Sequence, residues 1–127
     1  MKKITSFIII VMLLLAGCDY IISQDILSIT NLAIESNSIS SLRILQLTDL
    51  HNSEFGANNS RLVSAVRIQS PDLILLTGDL LNSNEQRTDI ATNLITQLCE
   101  IAPVYCSNGN HEIEYQEKYG VDVDELY

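Results

Sequence analysis

The sequence predicts an α/β domain with a parallel sheet, built as a βαβαβ unit, and three observations lead to this prediction. Short apolar runs that are typical of strands lie at residues 43–48, 72–77 and 103–106. Two segments with apolar residues at helical spacing lie between these runs. Strands that alternate with helices imply right-handed crossovers, and such crossovers produce a parallel sheet.

Length and composition limit the chain to one small globular domain. It has 127 residues, of which 46% are hydrophobic and 18% charged, a balance that favours a packed core over disorder. The net charge of -9 argues against nucleic-acid binding, because 7 basic side chains could neutralise few phosphates. A phosphate-ester substrate is still compatible with this charge if bound metal ions supply the positive charge.

The N-terminus resembles an export signal. Two lysines precede an apolar run at 7–15, which is shorter than the ~20 residues that span a bilayer. The following Leu15-Ala16-Gly17-Cys18 resembles the lipobox of bacterial lipoproteins. That resemblance implies a signal peptide over 1–18, lipid attachment at Cys18, and a domain held at the outer face of the cytoplasmic membrane. An uncleaved signal anchor is the alternative interpretation, and both interpretations place the domain outside the membrane.

The segment 19–42 is rich in Ser, Asn and Ile, and we interpret it as a tether with an edge strand at 26–34. The two remaining cysteines could pair in an oxidising compartment. Cys106 is predicted in a strand and Cys99 at the end of a helix, so two separate buried thiols are the favoured interpretation.

From residue 43 onward the elements follow one another clearly. A strand at 43–48 leads through a turn-rich stretch to a helix that Asn58 or Asn59 can cap. The run 72–77 is continuously apolar, as expected of a strand buried on both faces. A second helix and a third strand follow, and then a polar, weakly helical segment at 112–119 that shows no obvious core-facing side. The apolar positions of the two helices are Leu62, Val63, Ala65, Val66 and Ile68, and Ile90, Ala91, Leu94, Ile95, Leu98 and Cys99.

Three polar clusters stand directly after the three strands. They are Asp49-Leu50-His51, Gly78-Asp79 and Gly109-Asn110-His111-Glu112. The carboxyl ends of parallel strands meet at one edge of a sheet, where α/β proteins bind ligands, so the clusters should converge. Each cluster alone is common in capped turns. Their order and spacing together indicate a site of carboxylate, amide and imidazole donors, which suits divalent metals of the manganese, iron or zinc type.

The blocks LQLTDLHN, LLTGDLLN and SNGNHE resemble, in order and context, the first three blocks of the calcineurin-like metallophosphoesterases. The likeness covers residues 43–112 and is strongest to the membrane-associated bacterial branch. It implies that 43–127 is a partial phosphoesterase domain. The fold would then be the N-terminal βαβαβ half of an αββα sandwich, truncated.

The resemblance also implies a site with two divalent metal ions. Asp49 and His51 would bind one ion, Asp79 would bridge both, and Asn110 would bind the second. The neighbouring His111 would contact the scissile phosphate and assist the leaving group.

Glu112 would orient His111 in this pattern. In the family, a hydroxide activated by the two ions attacks phosphorus while the protonated histidine donates to the departing oxygen.

The family pattern continues with an isolated histidine and a Gly-His-x-His block, whereas no histidine follows His111 in this sequence. Two hypotheses therefore stand. One is a metal-dependent phosphoesterase that acts on a phosphomonoester or phosphodiester outside the membrane. The other is a truncated, catalytically inactive family member held by its lipid. Nucleotide binding is disfavoured, because no Gly-rich phosphate loop follows a strand.

Overall fold

The computed structural model describes residues 11–12, 27–38 and 41–127. The chain divides into two units, Met1–Ala33 and Ile34–Tyr127. In the first unit, residues 11 and 12 are helical and 27–33 have no regular structure. Most of the predicted signal peptide, including Cys18, lies outside the described residues. Within the part of the chain that is described, no helix combines the length and apolarity needed to cross a membrane.

The second unit is a three-stranded parallel sheet with helices in both crossovers, which confirms the predicted α/β class and the βαβαβ order. The strands lie side by side in chain order, so the chain moves across the sheet in one direction. The elements are β1 (Ile44–Leu47), α1 (Ser60–Gln69), β2 (Leu73–Thr77), α2 (Asp89–Cys99), β3 (Val104–Ser107) and α3 (Asn110–Tyr119), with 3-10 turns at Ala57–Asn59 and Val123–Glu125.

The core lies on one face of the sheet. In β2, Ile74 and Leu76 have 0% exposure, while their neighbours Leu73 and Leu75 are only half-buried. Right-handed crossovers between strands added in one direction place both connecting helices on the same face. The prediction that 72–77 is buried on both faces is therefore correct for one face only. The helices bury Leu62, Val63 and Val66 from α1, and Ala91, Leu94, Ile95 and Leu98 from α2.

The predicted edge strand at 26–34 is not formed in the described residues. Positions 27–36 have no regular structure, and Leu32 and Ile34 are 85% and 84% exposed. The apolar alternation there is broken, and a strand that buries no face has nothing to fix its register. The tether part of the prediction is compatible with this irregular, exposed segment.

The boundaries of the helices follow local chemistry. Asn59 stands directly before α1, at the position predicted for a cap, but it has a left-handed conformation. Its Oδ1 accepts from the Phe55 backbone N–H at 2.9 Å instead of capping the helix. Helix α3 ends at Gly120, whose φ of 66° suits glycine. The polar helix α3 does have a core-facing side, contrary to expectation, because Tyr115 and Glu112 are 2% and 0% exposed.

Candidate metal centre

The loops after β1 and β2 are held together by backbone hydrogen bonds. Asp49 N–H donates to the Gly78 carbonyl at 3.2 Å, and His51 N–H donates to the Asp79 carbonyl at 2.9 Å. Asp49, His51 and Asp79 all have positive φ, at 57°, 47° and 56°. Non-glycine residues rarely adopt this conformation, and it recurs where a structure holds functional side chains in place.

Three predicted ligands converge at this edge of the sheet. One ligand atom each from Asp49, His51 and Asp79 lie within 4.8 Å of one another. Nε2 of His51 is 3.9 Å from Oδ1 of Asp49, while Oδ2 of Asp49 accepts from the Thr48 hydroxyl at 2.7 Å. Two ligands that each lie about 2.0–2.2 Å from one ion are separated by up to ~4.4 Å. The donor set and its spacing therefore fit a divalent cation after small side-chain adjustments.

The charge and exposure of the cluster also favour a cation. The side chains of Asp49 and His51 are 61% and 35% exposed, so an ion can reach them from solvent. The two carboxylates repel each other when both are ionised, and a divalent ion between them removes that repulsion.

Two glycines allow the ends of β2 and β3 to approach each other. A Cβ on Gly78 would lie 2.6 Å from the Gly109 nitrogen, and a Cβ on Gly109 would lie 2.3 Å from Oδ1 of Asp79. Both separations are shorter than any van der Waals contact, so side chains are excluded at these positions. The close approach lets the His111 backbone N–H donate to Oδ1 of Asp79 at 2.9 Å.

Glu112 is buried below the site and binds backbone amides. Its Oε2 accepts from the Asp79 and Gly109 N–H groups at 2.7 and 2.8 Å, and its Oε1 accepts from the Leu81 N–H at 2.8 Å. The Tyr127 hydroxyl donates to Oε1 at 3.3 Å, and burial together with this carboxylate raises the pKa of the Tyr127 phenol. Glu112 thus ties the end of β2 to the start of α3.

His111 lies beside the cluster. Its ring centroid is 4.4 Å from that of His51, with the planes inclined at 70°. Its Nδ1 lies 3.1 Å from the Ser83 hydroxyl and 3.3 Å from the Ser83 amide. These contacts of the ring are with Ser83, whereas the hydrogen bonds of Glu112 described above go to backbone amides and the Tyr127 hydroxyl. The orienting role that the resemblance implies for Glu112 stays a prediction. Asn110 is exposed at the first position of α3, between Gly109 and His111.

Ser83 was not among the candidate residues that the sequence pattern predicted. It stands four residues after Asp79 in the β2–α2 loop, and nothing in its residue type distinguishes it from other loop serines. The only available signal was its proximity to the Gly78-Asp79 cluster.

An α/β sheet with acidic and imidazole side chains at its carboxyl edge defines a protein with a candidate metal site. Comparison with known proteins identifies its family, because the calcineurin-like phosphoesterase model matches residues 42–126. The chain therefore belongs to the calcineurin-like phosphoesterases, a metal-dependent family.

A named relative agrees with this assignment. The chain is 34% identical over 76 residues to an uncharacterized metallophosphoesterase of Campylobacter jejuni. The aligned part is 56% of this chain and 20% of that protein, so the chain spans about a fifth of the relative's length. No solved structure gives a significant match.

Proposed function

We propose that this chain contributes the first half of the active site of a metal-dependent phosphoesterase that hydrolyses a phosphomonoester or phosphodiester. The observation that carries the proposal is the convergence of Asp49, His51 and Asp79 within 4.8 Å. The ring of His111, 4.4 Å from that of His51, adds a proton donor next to these ligands.

The residues of the crevice have distinct roles in this proposal. Asp49, His51 and Asp79 would hold the first of two divalent ions of the manganese, iron or zinc type. Asn110 and Asp79 would contribute to the second. Bound ions of this kind activate the attacking water and neutralise charge on the phosphoryl oxygens.

His111 acts on the leaving group. A protonated imidazole beside the metal ligands can donate to the departing oxygen, and general-acid catalysis of this kind accelerates reactions typically by about 10²–10⁴-fold. The backbone of His111 is held by Asp79 and its ring by Ser83. Both contacts fix the donor relative to Asp79, one of the proposed metal ligands.

The relative is about five times as long as the aligned segment, and in the family pattern further histidines complete the metal shells. Hydrolysis by the whole protein is therefore part of the proposal, with this chain supplying the four ligands named above and the acid.

The proposal is tested with the purified full chain in detergent. Millimolar Mn²⁺ should raise its melting temperature, because a ligand that binds the native state stabilises it by about 2.7 kcal/mol at 100 times its Kd. Asp79→Asn should abolish the shift and any manganese-dependent hydrolysis of an aryl phosphodiester. Glu100→Gln is the matched control, since it removes one negative charge between α2 and β3, at the opposite edge of the sheet.

The outcomes separate the two hypotheses. The enzyme hypothesis is supported if manganese raises the melting temperature of the unmodified chain and of Glu100→Gln but not of Asp79→Asn, and if the unmodified chain hydrolyses the ester. Equal rates for the unmodified chain and Asp79→Asn would contradict it. The absence of any shift with manganese would favour the alternative, a catalytically inactive lipid-anchored family member.

We also propose that the protein is held at the outer face of the cytoplasmic membrane by a lipid on Cys18. The support is the Leu15-Ala16-Gly17-Cys18 motif behind a short apolar run. Cys18→Ala should block lipid incorporation and prevent maturation to the size of the chain that begins at residue 18. A protein that stays in the membrane fraction at full length, with or without Cys18, would instead indicate an uncleaved signal anchor.

A further inference from the structure

Three side chains on one face of α3 contact a single residue of the β2–α2 loop. His111, Glu114 and Lys118 are three and four residues apart, the spacing that places helical side chains on one face. Ser83 meets all three: its Oγ is 2.8 Å from Oε2 of Glu114 and 3.1 Å from Nδ1 of His111, and its carbonyl accepts from Nζ of Lys118 at 3.1 Å.

The number of protons on the serine hydroxyl decides the direction of these bonds. A hydroxyl carries one hydrogen, and a carboxylate can only accept. When the Ser83 hydroxyl donates to Glu114, its oxygen can only accept from His111, so Nδ1 carries the proton. In the neutral ring Nε2 then carries no proton and remains available for the substrate.

A competing arrangement also exists. The Ser83 amide N–H lies 3.3 Å from Nδ1, and it can bond there only if Nδ1 is unprotonated. The contact through the hydroxyl is shorter, and the carboxylate at its other end strengthens it, because hydrogen bonds to ionised acceptors are the stronger ones. We therefore expect the Nδ1-protonated form to prevail.

The serine at the centre of these contacts is buried. Ser83 is only 4% exposed, whereas its partners Glu114 and Lys118 are exposed and reach it from the surface. A depression of about 350 Å³ beside it is lined by Ser83, Asn84, Glu114, Glu117 and Lys118. Glu117 lines the same depression without a hydrogen bond to Ser83 among the described residues.

We propose that Ser83 is a positioning residue for His111, and that Glu114 sets the direction of the Ser83 hydroxyl so that Nδ1 donates and Nε2 faces the leaving group. This inference rests on the proposed function of His111. Its effect would be confined to the step in which the leaving oxygen takes up a proton.

The first test needs no catalysis. The ¹⁵N shifts of the His111 ring are measured in the metal-free full chain in detergent, about two pH units above the ordinary histidine pKa of ~6.5, with His111→Gln assigning the signals. The Nδ1-protonated tautomer is expected. Glu114→Ala should move the population towards Nε2–H, because the hydroxyl then becomes free to donate, and Glu117→Ala should leave it unchanged.

An Nε2-protonated ring in the unmodified chain would overturn the proposal, as would equal responses to Glu114→Ala and Glu117→Ala. Because these measurements use no substrate, they decide the role of Ser83 even if no phosphoesterase activity is found.

The second test is kinetic, on the full chain under the conditions in which it hydrolyses phosphate esters. Ser83→Ala should lower kcat about 10- to 100-fold for an alkyl ester, whose leaving oxygen needs a proton, and less than about 3-fold for a nitrophenyl ester. KM should change little, and Ser83→Thr, which keeps the hydroxyl, should recover most of the loss. Equal losses on both esters would show that Ser83 is only structural and would contradict the proposal.

Discussion

The two faces of the sheet differ in how well the described chain covers them. On one face Ile74 and Leu76 are completely buried beneath the helices. On the other face Ile44 and Tyr105 are 50% and 64% exposed, and Leu75 is half-buried. We call these the covered face and the open face. The comparison shows that the apolar sequence of a strand predicts that the strand is buried. The topology of the sheet decides which of its two faces the helices cover.

The register makes the comparison direct. Leu76 pairs with Leu47 and Cys106, so these three side chains share the covered face. Leu75 pairs with Gln46 and Tyr105 and shares the open face with them. Adjacent residues of one strand therefore face opposite sides of the sheet. Substituting them one at a time compares the two faces at almost the same place in the backbone.

The largest expected effect is a difference in the free energy of unfolding between alanine substitutions at two adjacent leucines. Leu76→Ala should lower the free energy of unfolding by about 3–4 kcal/mol, because it leaves a cavity in a packed layer. Leu75→Ala should cost about 1 kcal/mol, because its side chain is already partly solvated. Urea denaturation of the two variants measures the difference. Equal losses would mean that the open face is covered in solution.

A smaller effect should appear as a pH dependence on the covered face. Burial, and then the nearby Cys99, raise the pKa of the Cys106 thiol above its ordinary value of 9.0. The folded state therefore holds this proton more tightly than the unfolded state does. The corresponding stability is present below pH 9.0 and is lost as the pH rises towards the folded-state pKa.

Denaturation on either side of pH 9.0 measures this effect. Cys106→Ala should reduce the fall in stability, while Cys99→Ala, which leaves the half-buried Cys106 in place, should keep most of it. A fall of the same size in Cys106→Ala as in the unmodified chain would assign it to other groups.

The smallest expected effect is on the open face. Tyr105→Thr keeps a residue that favours strands and removes an exposed ring, so stability should change by no more than about 0.5 kcal/mol. The measurement is again urea denaturation, with sedimentation to follow the association state. A loss of several kcal/mol, or a dimer that dissociates on substitution, would show that another molecule covers Tyr105.

Much of the fold was predictable from local pattern. The strands at 43–48, 72–77 and 103–106 are found within one or two residues as β1, β2 and β3, because short apolar runs between turns have few other solutions. The edge strand predicted at 26–34 is not formed over residues 27–34, because its apolar pattern is irregular and no strand of the described part of the chain pairs with it. The core-facing side of α3 was not predictable, because a buried glutamate and one tyrosine form it.

The convergence of three candidate ligands was predictable from the sequence, and the contacts that support them were not. Asp49, His51 and Asp79 come together as their strand-end positions indicated, since parallel strands carry their carboxyl ends to one edge. The contacts of Glu112 and Ser83 were not predictable, because hydrogen bonds between residues about 30 positions apart depend on where whole elements pack.

The sequence by itself determined the α/β class, the order of the elements and the edge at which the polar clusters meet, because hydrophobic period and strand-end placement are local properties. Only the tertiary structure decided which face of the sheet is covered and which partner each buried polar group receives. Those outcomes depend on the distances and angles between helices and strands, which no local pattern specifies. The glycines at 78 and 109 are an example. In the sequence each can be interpreted as an ordinary turn residue, and only the close approach of β2 to β3 shows that a side chain does not fit there.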